Sequence, residues 1–250
     1  MLTDGYCHCG ISKYKPIEDV VAVHRELGVE RAVLVQHLGE FDNEYLRNAV
    51  RAHAERMVAV GLIDHKDEGR WQTLERLALA PEVRGLRVTD EALKDDPEFC
   101  VQLARLGFVL ILHVAAGVSS VTRAIHTLLD RVERASIVIA HMGNPDRDSS
   151  GHLGDWGLFD LASDRRVFVT LSGMSMWCDY PYHPMDRFVR EVIGAFGADR
   201  IMWGSNYSES GTVDDCRRDL ALVSEGQWGL DAAQVEKIRG STASQLWFGQ

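Results

Sequence analysis

A chain of 250 residues with a formal net charge of −10 and 46% hydrophobic residues has apolar material for one sizeable core. That charge disfavours nucleic acid and anionic membranes as partners, and no apolar run approaches the ~20 residues that span a bilayer. Five scattered cysteines, and an N-terminus without the basic-then-apolar pattern of a secretory leader, point to a reduced, cytoplasmic protein.

Strand and helix signals then alternate along the whole chain. The opening stretch, Asp4-Gly5-Tyr6-Cys7-His8-Cys9-Gly10, reads as a strand feeding a loop. Alternation sends Tyr6 and His8 to one face and Cys7 and Cys9 to the other, where the thiols serve as small core residues. Residues 16–27 carry apolar side chains at helical spacing, with Pro16 at the start and Gly28 at the end. Ala32-Val33-Leu34-Val35-Gln36 is apolar without alternation, the mark of a strand buried on both faces. The rhythm continues as helix 44–55, strand 57–64, helix 71–80, strand 85–88 and helix 96–106. Strand 108–113, helix 119–132, strand 137–141, strand 167–171 and helix 187–195 follow. Strand 200–203, helix 214–223 and two short helices at 231–239 and 242–246 close the chain.

Eight strands separated by helices, with no composition break, linker or repeat, predict an α/β fold: one (β/α)8 TIM barrel spanning residues 1–250 as a single domain. A doubly wound open sheet is the alternative. It normally carries a glycine-rich phosphate turn after the first strand, and Gly10-Ile11-Ser12-Lys13 is not one.

Chemistry in such barrels sits at the C-terminal strand ends. Those ends read Tyr6 and His8, Gln36 and His37, Asp64 and His65, Arg87, His113, His141, Ser172 and Asn206. A single histidine among them would be an ordinary core or surface residue. Imidazoles ending strands one, five and six, converging on one axis, point instead to a metal or substrate site. For His141 a general acid–base role stands beside a structural hydrogen bond to the seventh strand. For Arg87 a clamp on a substrate carboxylate or carbonyl stands beside an ion pair with Asp64. His24, His53 and His126 fall inside helices; His37, His65, His152 and His183 lie in loops that could line the pocket, although each taken alone reads as solvated. The aromatic-rich loop Trp177-Cys178-Asp179-Tyr180-Pro181-Tyr182 is placed to cover a pocket, and Glu209 and Asp146 are the nearest spare carboxylates.

These residues carry a resemblance. Asp4, His8 and Gly10 are similar to the opening Asp-x-His-x-His of the amidohydrolase-related family of TIM-barrel metal-dependent hydrolases. The apolar strand ending in His113 resembles the family's fifth strand. Ile137-Val138-Ile139-Ala140-His141-Met142-Gly143 resembles its sixth, and Val169-Thr170-Leu171-Ser172-Gly173 its seventh. Residues 196–207, from Phe196-Gly197 to Gly204-Ser205-Asn206-Tyr207, resemble Phe-Gly-x-x-Arg-x-x-x-Gly-Ser-Asp-x.

Two positions depart from the pattern: Tyr6 stands where the first histidine is expected, and Asn206 where the final aspartate is. In the family the histidine pair, the fifth-strand histidine and that aspartate surround a divalent metal, usually zinc, and the aspartate takes a proton from the attacking water. A neutral phenol is a poor zinc ligand and a neutral amide is no base. The resemblance therefore leaves His8 and His113 as metal ligands, with His141 nearby, and makes zinc an uncertain cofactor. Tyr180-Pro181-Tyr182 is similar to a stretch at this place in related lactone hydrolases, which implies a lid with Tyr182 at the substrate.

The expected function is a hydrolase of this superfamily acting on a small, polar, carboxylate-bearing molecule, with lactone C–O cleavage ahead of amide cleavage. His141 and Asn206 are the catalytic candidates, and Arg87, Tyr6 and Tyr182 the substrate contacts. The alternatives are a non-hydrolytic lyase, such as a decarboxylase, and a silent barrel that binds a ligand or partner. The expected partner is the small-molecule substrate, with a homodimer as the default assembly.

Overall fold

The structure, a computed structural model, describes residues 1–147, 153–154, 156–209 and 211–249. Its barrel begins with β1 (Thr3–Cys7), β2 (Arg31–Val35), β3 (Met57–Leu62), β4 (Val83–Thr89), β5 (Val109–His113) and β6 (Ser136–Ile139). A small antiparallel hairpin, β7 (Asp146–Arg147) and β8 (Leu153–Gly154), stands outside the barrel before β9 (Val167–Leu171) and β10 (Ile201–Trp203) complete it. The eight barrel strands are parallel and run in sequence order. Around them lie α1 (Ile17–Leu27), α2 (Glu44–Arg51), α3 (Arg70–Ala78), α4 (Asp90–Asp95), α5 (Pro97–Arg105) and α6 (Thr122–Arg131). The ring continues with α7 (Trp156–Asp160), α8 (Asp186–Phe196), α9 (Val213–Ser224), α10 (Ala232–Glu236) and α11 (Thr242–Phe248).

The unalternating apolar strands have the burial they predict, because each faces two cores. Val33, Val35, Val58, Val60, Ile111 and Val138 fill the barrel interior with Tyr6, while Leu34, Ala59, Leu110 and Ile137 pack outward under the helices. Cys7 and Cys9 join that outer layer, as the two-residue period requires. Ala243 and Trp247 of α11 belong to the interior cluster and close its lower end.

Closure joins β10 to β1. Asn206 N–H donates to the Tyr6 carbonyl at 2.9 Å, and His8 N–H to the Tyr207 carbonyl at 2.6 Å. Glycine makes this approach feasible: a Cβ at Gly204 would lie 2.7 Å from Tyr6 Cβ. No helix among the described residues is long and apolar enough to cross a membrane.

Several boundaries differ from the sequence reading. The strand expected to reach Asp64 ends at Leu62, and the one expected to end in His141 stops at Ile139. Ala140–Gly143 is instead a tight turn in which His141 and Met142 take left-handed φ values of 52° and 53°. The helix expected over 231–239 is α10 followed by a wider turn, Lys237–Ser241, that runs on into α11. The helix expected to reach residue 55 ends at Arg51, which leaves His53 in the turn beyond it. Helices α4 and α7 and the hairpin gave no sequence signal, being too short to show a period.

If Trp247 is the lower plug, Trp247→Ala should cost about 3–5 kcal/mol of stability. Urea unfolding reads that loss, and the kinetic constants of the folded fraction should stay unchanged, because the plug and the strand C-termini occupy opposite ends.

Candidate active site at the barrel mouth

The C-terminal strand ends gather a polar cluster. Tyr6 projects inward from β1, and its ring meets His8 and His141 edge-on, with centroids 5.0 Å and 4.7 Å away. Tyr14, from the loop after β1, stacks on His8 at 4.6 Å, and His37 meets Tyr14 edge-on at 5.1 Å. The His113 and His141 centroids are 6.3 Å apart.

Hydrogen bonds fix how each ring is presented. His8 Nδ1 lies 2.7 Å from the Val35 carbonyl. A carbonyl can only accept, so Nδ1 carries the proton and neutral His8 offers a lone pair at Nε2. The Asn206 side chain hydrogen-bonds His8. That contact favours the protonated ring, but it is outweighed by burial and by Arg87. His141 N–H donates to Thr170 Oγ1 at 2.8 Å, its Nδ1 lies 2.9 Å from Ser172 Oγ, and the two hydroxyls are 2.9 Å apart. Gly173 leaves room for this pair, since a Cβ there would stand 2.9 Å from His141 Nδ1.

Arg87 reaches the mouth from β4, only 6% exposed, and donates through Nη1 to the Gln36 carbonyl at 2.9 Å. Gln36 is itself tied down by Asp42 O, at 2.8 Å, and by His37 N–H, at 3.0 Å. The expected ion pair with Asp64 does not form: that carboxylate caps its own loop through Lys66 N–H at 2.9 Å. Among the described residues Arg87 has no ion pair.

The charge shapes its neighbours. Burial first, and the Arg87 guanidinium second, pull His8 down from the usual imidazole range to about 3 and His113 to about 4. The same two causes hold His141 well below the ordinary value. Burial raises the Tyr6 phenol. The mouth at neutral pH is therefore three neutral imidazoles and a neutral phenol around one cation. Among the described residues, three buried polar atoms here have no hydrogen-bond partner: Tyr6 Oη, His113 Nδ1 and Arg87 Nε. The carboxylates whose charge reaches these groups are Glu209, felt by Tyr6 and Tyr14, and Asp90, felt by His113.

These donors do not fit a divalent cation. Among the described residues, the ligand atoms of His8, His113 and His141 do not come within 4.8 Å of one another as a set, no carboxylate joins them, and a guanidinium already occupies the field. Among the described residues, the one group of three ligand atoms close enough for a metal is Asp4, Cys7 and His24, on the other side of β1. The structure thus brings Tyr6, His8, Arg87, His113, His141 and Asn206 together, but not as a zinc site.

Tyr182 is placed elsewhere. It packs in the outer apolar layer and donates its hydroxyl to Asp219 Oδ1 at 2.7 Å, which commits it to the scaffold rather than to a substrate. His183 is exposed and sits 3.2 Å from Asp186, and Asp146 lies in the hairpin. His65 lines a side cavity of about 310 Å3 with Leu38, Phe41, Ile63 and Phe99, and its Nε2 lacks a hydrogen bond. His152 lies outside the described residues. The sequence reading missed Tyr14, which has no strand position to announce it, and left unstated that Thr170 and Ser172 share His141.

An all-parallel eight-stranded barrel with its buried polar side chains gathered at the strand C-termini defines a TIM-barrel enzyme. The chain belongs to the amidohydrolase family, whose model matches residues 13–249, and it is a hydrolase. It is 29% identical over 208 residues to an L-fucono-1,5-lactonase of Burkholderia ambifaria, covering 77% of this chain and 70% of that one. A putative 2-pyrone-4,6-dicarboxylic acid hydrolase from Pseudomonas putida shares the fold, with a TM-score of 0.79, 22% identity and coverage of 99% and 97%. So does an amidohydrolase from Burkholderia multivorans with bound zinc, with a TM-score of 0.76, 18% identity and 99% coverage of both chains.

The depressed imidazoles set a pH dependence. Unfolded histidines bind protons near pH 6.5, whereas native His8 and His113 do so only near 3 and 4. As pH falls from about 6.5 towards 4 the unfolded chain takes up protons that the native mouth refuses, so stability falls across that window and is fully present above it. Urea unfolding of His113→Gln should show a shallower fall than the wild type. A second expectation concerns Asn206→Asp: a carboxylate in place of the amide that bonds His8 should move His8 upward from about 3, as the imidazole carbon resonances in NMR would report.

Proposed function

We propose that this mouth opens the ring of a small lactone bearing a carboxylate, by direct attack of water and without a metal. One observation carries the reading: a buried, uncompensated guanidinium stands beside two further buried polar atoms, Tyr6 Oη and His113 Nδ1, that lack partners. Burying such a charge alone is costly. An anionic substrate supplies the counter-charge and the acceptors together.

Arg87 takes the substrate carboxylate. The Tyr6 hydroxyl, kept protonated by burial, donates to the carbonyl oxygen as negative charge develops there. Neutral His141, steadied by Ser172 and Thr170, accepts the proton of the attacking water. His8 and Asn206 hold one another and wall the reacting centre. The tetrahedral intermediate collapses with cleavage of the ring C–O bond, and the proton held by His141 passes to the leaving oxygen, giving a hydroxy acid.

Lactone cleavage is favoured over amide cleavage by the same electrostatics. A ring oxygen leaves with negative charge partly developed, which a mouth holding one cation favours, whereas an amide nitrogen must be fully protonated before it leaves. The similarity to an L-fucono-1,5-lactonase supports the same bond type. Five scattered cysteines, four of them buried, support work in a reducing compartment, the cytoplasm.

The test is a panel of lactones with and without a carboxylate, assayed after EDTA treatment and desalting. Turnover of carboxylate-bearing lactones should survive the chelator. Arg87→Gln should raise KM for them by roughly 30-fold or more, the cost of losing a buried charged partner, and Tyr6→Phe should lower kcat by about 100-fold. Decarboxylation of aromatic acids in place of lactone opening would sink this reading.

A further inference from the structure

On the outward face of β1, away from the mouth, Asp4, Cys7 and His24 each bring a ligand atom within 4.8 Å of the others. All three are buried, at 0%, 0% and 1% exposure, and none takes part in the chemistry above. We propose that this trio is a structural zinc site, independent of catalysis, held by the Asp4 carboxylate, the Cys7 thiolate and the His24 imidazole.

The donor set is the first reason. One sulfur, one nitrogen and one oxygen ligand, with a carboxylate and a thiolate to balance the charge, suit zinc as the neutral mouth does not. Orientation is the second. Asp4 Oδ1 accepts Tyr6 N–H at 3.1 Å and Ser205 N–H at 3.0 Å, which leaves Oδ2 facing His24 Nε2 at 3.2 Å. A ligating carboxylate held by two backbone amides is already oriented for a cation. Topology is the third: β1 supplies two ligands and α1 the other. Cys216 of α9, buried and close enough to feel the Asp4 charge, stands outside the group of three, which leaves the fourth position to water.

Ligands around zinc stand roughly 3.3–3.8 Å apart, given bonds of about 2.0–2.3 Å. The trio must therefore draw in by about 1 Å at its widest. Zinc entry exchanges one set of bonds for another. The Cys7 thiol, which now points at the Val33 carbonyl 3.5 Å away, gives up its proton to solvent, and the His24 proton moves from Nε2 to Nδ1. One proton leaves for each ion bound, with no change of oxidation state.

The full-length chain, stripped with EDTA, reloaded with zinc and desalted, should retain about one equivalent and unfold at a higher temperature than the stripped protein. Cobalt in place of zinc should give a thiolate-to-cobalt charge-transfer band, a signature that the mouth cluster cannot produce because it has no thiol. Cys7→Ser should abolish the band and the zinc-dependent shift, and His24→Gln should weaken both, while His8→Gln keeps them. Retention in Cys7→Ser with loss in His8→Gln would place the metal in the mouth and overturn the proposal. So would a folded wild type that retains no zinc, or a cobalt spectrum without the thiolate band, and these two outcomes hold even where a variant fails to fold.

Discussion

Arg87 enters the barrel mouth from β4 and spends its one described hydrogen bond on the carbonyl of Gln36, so its charge is balanced by no carboxylate among the described residues. Much of the site follows from that imbalance. Burial makes each imidazole harder to protonate and the buried cation beside them adds to it, so three histidines within a few ångströms coexist as neutral rings. It also opposes a second cation. A divalent ion about 6 Å from a guanidinium, at an effective dielectric near 20, meets a repulsion of roughly 5 kcal/mol. Anionic ligands could offset that; among the described residues Glu209 bonds Tyr14 instead of a histidine.

Tyr6 and Asn206 belong to the same logic and are best read as a pair. Each stands as a neutral group where the related pattern carries a metal-binding side chain. Asn206 hydrogen-bonds His8. Tyr6 fills the space between His8 and His141 with a ring, its hydroxyl unpartnered and buried. In the proposed reaction hydrogen-bond donors stand in for an ion: the substrate carbonyl oxygen leans on the Tyr6 phenol, and the attacking water on a neutral imidazole.

The fold was legible because parallel barrel strands are apolar on both faces. Runs such as Val109–His113 and Val167–Leu171 announce themselves without any knowledge of their neighbours. Strand alternation likewise separated Tyr6 and His8 from Cys7 and Cys9. What sequence could not show was where long side chains end. Tyr182 lies in a loop that reads as a lid, yet its hydroxyl finds Asp219, 37 positions further on, and turns inward to the scaffold. Tyr14 has no periodic context at all and is placed on His8 by ring stacking. His141 reads as the last residue of a strand, but it stands on a left-handed turn, which only backbone geometry reveals. The trio of Asp4, Cys7 and His24 was hidden for a related reason: His24 has no meaning on α1 until the helix is docked against β1.

The scaffold beneath the altered site is held by Asp4. One of its oxygens accepts the amides of both Tyr6 and Ser205, so a single buried carboxylate joins β1 to the segment after β10. Tyr6 carries one of those amides, and Asn206 directly follows Ser205, which carries the other. The two residues that depart from the metal-binding pattern are therefore positioned by one shared anchor, and their separation is set by hydrogen bonds that involve neither side chain. A change of ligand chemistry at positions 6 and 206 leaves that anchor in place. The barrel can replace a cation with a phenol and an amide and still present both groups to the same point on its axis, because the geometry is stored in the backbone and only the chemistry is stored in the side chains.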